Sequence, residues 1–233
     1  MQIRVGLELD NEDRALAWAL DHAGCFAYGV DGPAAVITLA REMVHYDQWI
    51  RRHLGSSWLE SGDFDFRIVE TWQVYTVNDQ YELEEGAYAV NAWFQNDWKP
   101  LTEEEIERGL TMLEWSREDL LQIVSGLSAE QLDRQFEKER WSIRGILKHV
   151  ANAEWWYLDR LNLVSNGRED MPKEPLERLD WVRQKLTAGL PLLSGKELVL
   201  GKESEFWSPR KLLRRALWHE MDHSQHIQKL LAR

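Results

Sequence analysis

Residues 210–232 read RKLLRRALWHEMDHSQHIQKLLA. On a helix of about 3.6 residues per turn, Leu212, Leu213, Ala216, Ile227, Leu230 and Leu231 fall on one apolar stripe. Ser208 is a helix cap and Pro209 suits the first helical position, so the spacing predicts a helix that starts here. His223 lies within the stripe and His219 at its margin. Such a helix must bury its stripe against other elements, and polar side chains on the stripe then need partners.

Residues four apart on a helix share a face, about 6 Å apart. His219 and His223 can therefore hold one metal ion between them, and His226 faces the same side. An unpaired polar group in a bundle core costs about 1–3 kcal/mol. A metal is one partner for these rings; a carboxylate, hydroxyl or backbone carbonyl is another, and spacing alone leaves both open. HEMDH also matches H-E-x-x-H, the helical zinc signature of metalloproteases. Common zincins take their third ligand downstream. Here only ten residues follow His223, and His226 is too close to match the longer pattern. No second lobe is apparent to form a peptide cleft, so the protease reading is set aside.

Upstream, the chain after Lys99-Pro100 reads as helices. Thr102 with Glu105 forms a capping box for a helix running to about Ser125. Ser142 caps SIRGILKHVANAEWWYLDRLNLV, which ends before Asn166-Gly167, and a further helix runs from Pro175 towards Leu190. With the last helix this makes a four-helix bundle. The second helix carries His149 beside its apolar stripe, with Gly145 and Ala153 small enough for another helix to approach. His149 could complete the ligand set of His219 and His223, or be a packed or solvated histidine.

Before Lys99-Pro100 the texture is mixed. MQIRVGLEL alternates, RALAWAL is a second apolar run, and DHAGCFAYGVDG reads as a turn. GPAAVITLAREMVHYDQWIRRHL reads as a helix with Pro33 in its first turn. FRIVETWQVYTV and AYAVNAWF read as strands. The expected fold is α+β: residues 1–97 a small mixed domain, residues 100–233 an all-helical bundle.

Net charge is -12 over 233 residues. Residues 1–99 hold 17 acidic and 7 basic side chains, which repel a phosphate backbone and argue against nucleic-acid binding. There is no membrane-length apolar stretch and no secretory leader pattern, and the single cysteine, Cys25, excludes an internal disulfide. These features predict a cytoplasmic protein that spans no membrane. Cys25, with nothing basic close by, reads as a structural small residue rather than a reactive thiol.

WSIRGILKHVANAEWWYLDRL, followed some 60 residues on by RRALWHEMDHSQHI, resembles the DinB-like superfamily. The resemblance implies a four-helix bundle and a divalent metal (zinc, nickel, iron or manganese) held by His149, His219 and His223. Trp141 matches a tryptophan common before the second helix. His226 falls where relatives often carry glutamine and reads as a supporting group. Glu220 then needs no catalytic role; it projects about 100° from His219 and is expected on the surface. Asp222 and Glu154 are likewise expected to be solvated. The first 95 or so residues resemble the HicB-like fold more weakly, through the early strands, HAGCFAYG and the helix opened by VDGPAAVITLA. Both resemblances imply a homodimer.

Three functions stay open. By resemblance, a metal-dependent transferase or hydrolase would activate a low-molecular-weight thiol or water against a small substrate, with Trp155, Trp156, Trp181, Trp207 and Trp218 as candidate pocket walls. A binding or regulatory module would use the acidic HicB-like half for a dimer or partner contact. A bundle with purely structural histidines would bind no metal.

Overall fold

The computed structural model describes residues 1–59 and 62–233. The fold is α+β, with a sheet region first and helices after it. The chain divides into two compact units: Met1–Lys99 with Gly201–Trp207, and Pro100–Leu200 with Ser208–Arg233. Among the described residues no helix is long and apolar enough to cross a membrane.

In the first unit, β1 (Gln2–Asn11), β2 (Arg14–Ala19) and β3 (Phe26–Gly29) form an antiparallel meander. α1 (Gly32–Leu54) follows, and β4 (Asp65–Gln73) returns parallel to β1, giving the order β3-β2-β1-β4. Asp31 caps α1 by accepting from the Ala34 amide at 2.8 Å, and Pro33 sits in the first turn as expected. Ile3, Val5 and Leu7 of β1 are buried, as are Leu39, Met43 and Ile50 of α1. FAYG, read as part of a turn, is instead β3, because Phe26 and Ala27 pair with Trp18 and Ala17 and bury their side chains. Gly29 closes this strand where a Cβ would stand 2.1 Å from the Ala35 amide, a space no other residue fits.

Two further strand expectations need correction. In AYAVNAWF only Tyr88–Ala89 (β6) pairs, with Thr76–Val77 (β5). Val90, Ala92 and Phe94 are fully buried, so the apolar spacing serves an irregular segment packed into the core. The chain after Pro100 is also not wholly helical. β7 (Leu200–Lys202) and β8 (Glu205–Trp207) form a hairpin, turned by Glu203 and Ser204 with φ of 53° and 61°. That turn lacks the asparagine–glycine pair that usually advertises it. Buried Glu205 accepts from the Tyr88 hydroxyl at 2.8 Å and the Asn91 amide nitrogen at 3.1 Å, within the first unit.

The second unit contains α2 (Glu103–Val124), a short α3 (Ala129–Asp133), α4 (Ile143–Arg160), α5 (Pro175–Gly189) and α6 (Pro209–Leu231). Thr102 and Glu105 exchange the two bonds of a capping box at 3.1 and 2.8 Å. Ser142 and Ser208 cap α4 and α6 as read from sequence. α6 packs on α2 and α4, and α4 packs on α5. Arg144 near the start of α4 meets Glu174 just before α5 at 3.5 Å, and Glu154 further along α4 meets Arg183 further along α5 at 2.8 Å. α4 and α5 therefore run in the same direction. The connection 161–174 must return along the bundle, which brings it beside the start of α4.

Candidate metal centre

α4 and α6 face each other with their histidines. His149 lies midway along α4, and His219 and His223 are one turn apart on α6. One ring nitrogen from each lies within 4.8 Å of the other two. The closest approach is Nε2 to Nε2 between His149 and His219, at 3.1 Å. His219 is buried; His149 and His223 are half-buried. The structure thus brings together the three residues that the resemblance had singled out.

Apart from that His149–His219 contact, the rings are held by aromatic neighbours. Trp141 stacks on His149 with centroids 4.4 Å apart and planes 26° from parallel. Tyr157 and Trp218 meet His219 at 6.1 and 5.6 Å. Trp141 reaches back over α4 because Gly145 leaves room: a Cβ there would be 2.9 Å from Trp141 Cβ. Gly145 therefore makes space for a side chain of its own segment, not for a neighbouring helix as its size suggested. Of the other tryptophans proposed as pocket walls, Trp207 is fully buried and belongs to the first unit.

Burial, then the charges of Arg140 and Arg168, lowers the pKa of His149. Burial, then His223, His149 and Arg215, holds His219 well below its ordinary value. Burial with His149 and His226 brings His223 to about 3. All three rings are therefore neutral near pH 7, the form that can donate a lone pair to a metal. Among the described residues no carboxylate, hydroxyl or carbonyl bonds to any of them, and His223 Nδ1 is buried without a partner. A purely structural trio would be expected to find such partners. The 3.1 Å contact is close to the roughly 3.3 Å edge of a tetrahedral zinc site. These donors fit a divalent ion that accepts imidazole nitrogen.

His226 stands apart from the three. Its Nε2 is 3.0 Å from Glu139 Oε2, whose other oxygen accepts from Arg233 at 2.9 Å, and its ring lies 6.2 Å from that of His223. Cys25 is buried beside Met43, and burial pushes its thiol pKa up, in keeping with a structural role.

The expectation that Glu220 and Glu154 are surface charges is wrong. Both are almost fully buried, at 1% and 3% exposure. Glu220 accepts from Arg117 Nε at 2.7 Å and Arg183 Nη2 at 3.0 Å. Glu154 accepts from Arg183 Nε at 2.8 Å and Nη2 at 2.9 Å, and from Arg117 Nη2 at 3.1 Å. The remaining guanidinium nitrogens donate to the carbonyls of Leu179 and Leu113. One member comes from each of α2, α4, α5 and α6. Burial opposes ionisation of Glu220, but Arg183 and Arg117 hold its pKa below the ordinary value. Burial likewise works against the Arg183 charge, and Glu154 and Glu220 hold it protonated. A sequence signal existed: Arg183 follows Leu179 by four residues and precedes Leu186 by three, on the apolar stripe of its helix. Asp222, by contrast, is only half-buried and does not join the three histidines.

A family model described as the DinB superfamily matches residues 112–227, which include all three histidines. No curated protein matches the chain. Among solved structures, YfiT from Bacillus subtilis is similar at 19% identity and a TM-score of 0.46, covering 61% of this chain and 93% of that one. That protein is described as a probable metal-dependent hydrolase with an unusual four-helix bundle topology.

Proposed function

The chain belongs to the DinB superfamily through residues 112–227, and we propose that it binds one divalent metal ion through His149, His219 and His223 and acts as a metal-dependent transferase or hydrolase on a small substrate. The observation that carries this reading is the convergence of three neutral imidazoles whose nitrogens find no other partner among the described residues, His223 Nδ1 being buried and unbonded. When bound, such an ion supplies Lewis acidity and lowers the pKa of water or a low-molecular-weight thiol, so that either can act as a nucleophile at neutral pH.

The chain's own residues do the rest. Three neutral donors leave the ion's positive charge undiminished, which favours an anionic reactant beside it. Trp141 fixes the plane of the His149 ring, and Tyr157 and Trp218 flank His219. The buried Arg117–Glu154–Arg183–Glu220 network ties α4 to α6, one residue from His219 and five from His149, and so holds the two ligand helices in register.

The test is elemental analysis of untagged protein purified without chelator, beside His149→Ala and His223→Ala. About one metal per chain, lost in both variants that still fold, is the expected outcome. Failure of the native chain to bind zinc, nickel, iron or manganese after reconstitution would overturn the reading.

A further inference from the structure

The four-stranded sheet of the first unit has two edges, and they differ. β3 is four residues long, short enough to offer little to a neighbouring strand. β4 is nine residues long and pairs only with β1 among the described residues, so its outer row of amides and carbonyls has no strand beside it. Ile68 and Val69, at its middle, are 53% and 50% exposed. A long edge with apolar side chains is a template for a further strand. This one lies outside residues 112–227, the part of the chain that carries the histidines.

β4 also carries a bulge. Ile68 lies opposite Val5 and Glu70 opposite Gly6, so Val69 is an extra residue. In a regular strand Arg67 and Glu70, three apart, point to opposite faces. The extra residue puts them on one face: they lie opposite Arg4 and Gly6, which are two apart on β1. Phe66 and Thr71 come to share the other face in the same way, opposite Ile3 and Leu7. Read outward from the Ile68–Val69 step, the strand is complementary to itself. Turned about a two-fold axis through that step, a second β4 sets Arg67 opposite Glu70 twice, Phe66 opposite Thr71 twice, and Ile68 opposite Val69 at the centre. The charged pairs and the Phe66–Thr71 pairs each point to one face, as antiparallel pairing requires. Both charges have capacity for a further contact. Arg67 reaches Asp65 through Nε at 3.4 Å, with both side chains 65% exposed, and Glu70 accepts from the Gln95 amide at 2.8 Å through one of its two oxygens.

We propose that β4 is a dimerisation edge whose occupant is the β4 of a second copy of this chain, antiparallel and in this register. A bulge or a lone charge guards an edge when it mismatches an incoming strand. Here the bulge creates the match, and each charge meets its opposite. Two chains of net charge -12 repel at long range, but salt at about 0.15 M screens that repulsion beyond about 8 Å, and facing side chains on paired strands are closer than that. The pairing joins the two sheets into one continuous sheet and leaves neither copy with a long open edge.

Sedimentation velocity of the full chain over a concentration series, in about 0.15 M salt, tests this. Wild type should shift reversibly from monomer to dimer as concentration rises. Arg67→Glu and Glu70→Arg should each weaken dimerisation at least about ten-fold, because like charges then face each other twice. Arg67 is exposed, so Arg67→Glu should keep the wild-type melting temperature. An equimolar mixture of the two variants should recover a dimer, since acidic positions of one chain then face basic positions of the other. That recovery separates lost pairing from lost folding, because mixing cannot rescue a chain that does not fold. Arg108→Gln, which breaks the Arg108–Glu104 pair in the second unit, should dimerise like wild type. A wild type that stays monomeric up to about 0.5 mM, a dimer indifferent to both charge reversals, or a mixture that associates no more tightly than its components overturns the proposal.

Discussion

Two polar clusters share helices α4 and α6, and they are finished to different degrees. The cluster of Arg117, Glu154, Arg183 and Glu220 is closed: both carboxylates are bonded by both arginines, and the spare guanidinium nitrogens reach backbone carbonyls. The cluster of His149, His219 and His223 is open: its rings face one another, and nothing else among the described residues bonds to them. His219 and Glu220 are adjacent in sequence, yet one belongs to each. A closed cluster has no remaining capacity for a ligand, and its members specify how four helices meet. An open one leaves lone pairs unsatisfied, at a cost that persists until a ligand relieves it.

The most severe way to probe this contrast is to open the closed cluster. Glu220→Ala leaves two buried guanidiniums to share the single carboxylate of Glu154 and should destabilise the protein by about 3–5 kcal/mol, read from urea denaturation. Replacing all four members together with apolar residues of similar volume should cost far less, because no charge is left unpaired. If the single and fourfold variants unfold at the same urea concentration, the network is not the closed unit described here.

The converse experiment closes the open cluster. Zinc at 100 times its dissociation constant should stabilise the chain by about 2.7 kcal/mol, and chelator should reverse the gain. In His223→Ala the zinc-dependent gain should vanish, while the metal-free variant stays close to the metal-free wild type. A melting temperature indifferent to zinc in the wild type would contradict the contrast.

The clusters should also titrate in separate windows. In metal-free protein the three histidines have folded pKa values below the ordinary 6.5, so the unfolded state binds more protons as acid is added. Their contribution is fully present above 6.5 and declines as pH falls towards the folded values, about 3 for His223. Glu220, also depressed, contributes fully above its ordinary 4.5 and loses that contribution only below it. Urea midpoints between pH 7.5 and 5 should therefore fall in the metal-free wild type and fall less in His223→Ala. Equal slopes would show that the histidines are not held neutral by the fold.

The smallest effect expected is at Gly145. Gly145→Ala should gain up to about 1 kcal/mol of helix propensity but displace Trp141 from His149, for a net stability change under about 1 kcal/mol. Zinc affinity, measured by competition with a chromophoric chelator, should nevertheless weaken a few-fold as the ring loses its support. Unchanged affinity would mean that the stacking does not orient His149.

How much of this was legible in the sequence follows from the range of each signal. Helix starts at Thr102, Ser142 and Ser208 are local chemistry, a side-chain oxygen meeting an amide three residues on, and the structure places the caps there. The i,i+4 pair on α6 is equally local. The strand β3 was missed because its only advertisement is a small-residue run that also suits a turn. The hairpin was missed because its turn uses Glu203 and Ser204 in left-handed conformations those residues seldom adopt. The burial of Glu220 was misjudged for a different reason. A wheel assigns the flank of an apolar stripe to solvent, whereas α6 is enclosed on several sides, with Arg214, Arg215 and Glu220 all buried.

By itself the sequence determined the helices, their caps and the His219–His223 pair, because capping and helical periodicity act over four residues or fewer, whereas His149 joined that pair only through the family resemblance. Only the tertiary structure decided that Glu154 and Glu220 are core residues and that Trp141 leans on His149. The burial of the two carboxylates depends on partners 29 to 103 residues away, and charge pairing at such separations follows from which helices touch, not from any local pattern.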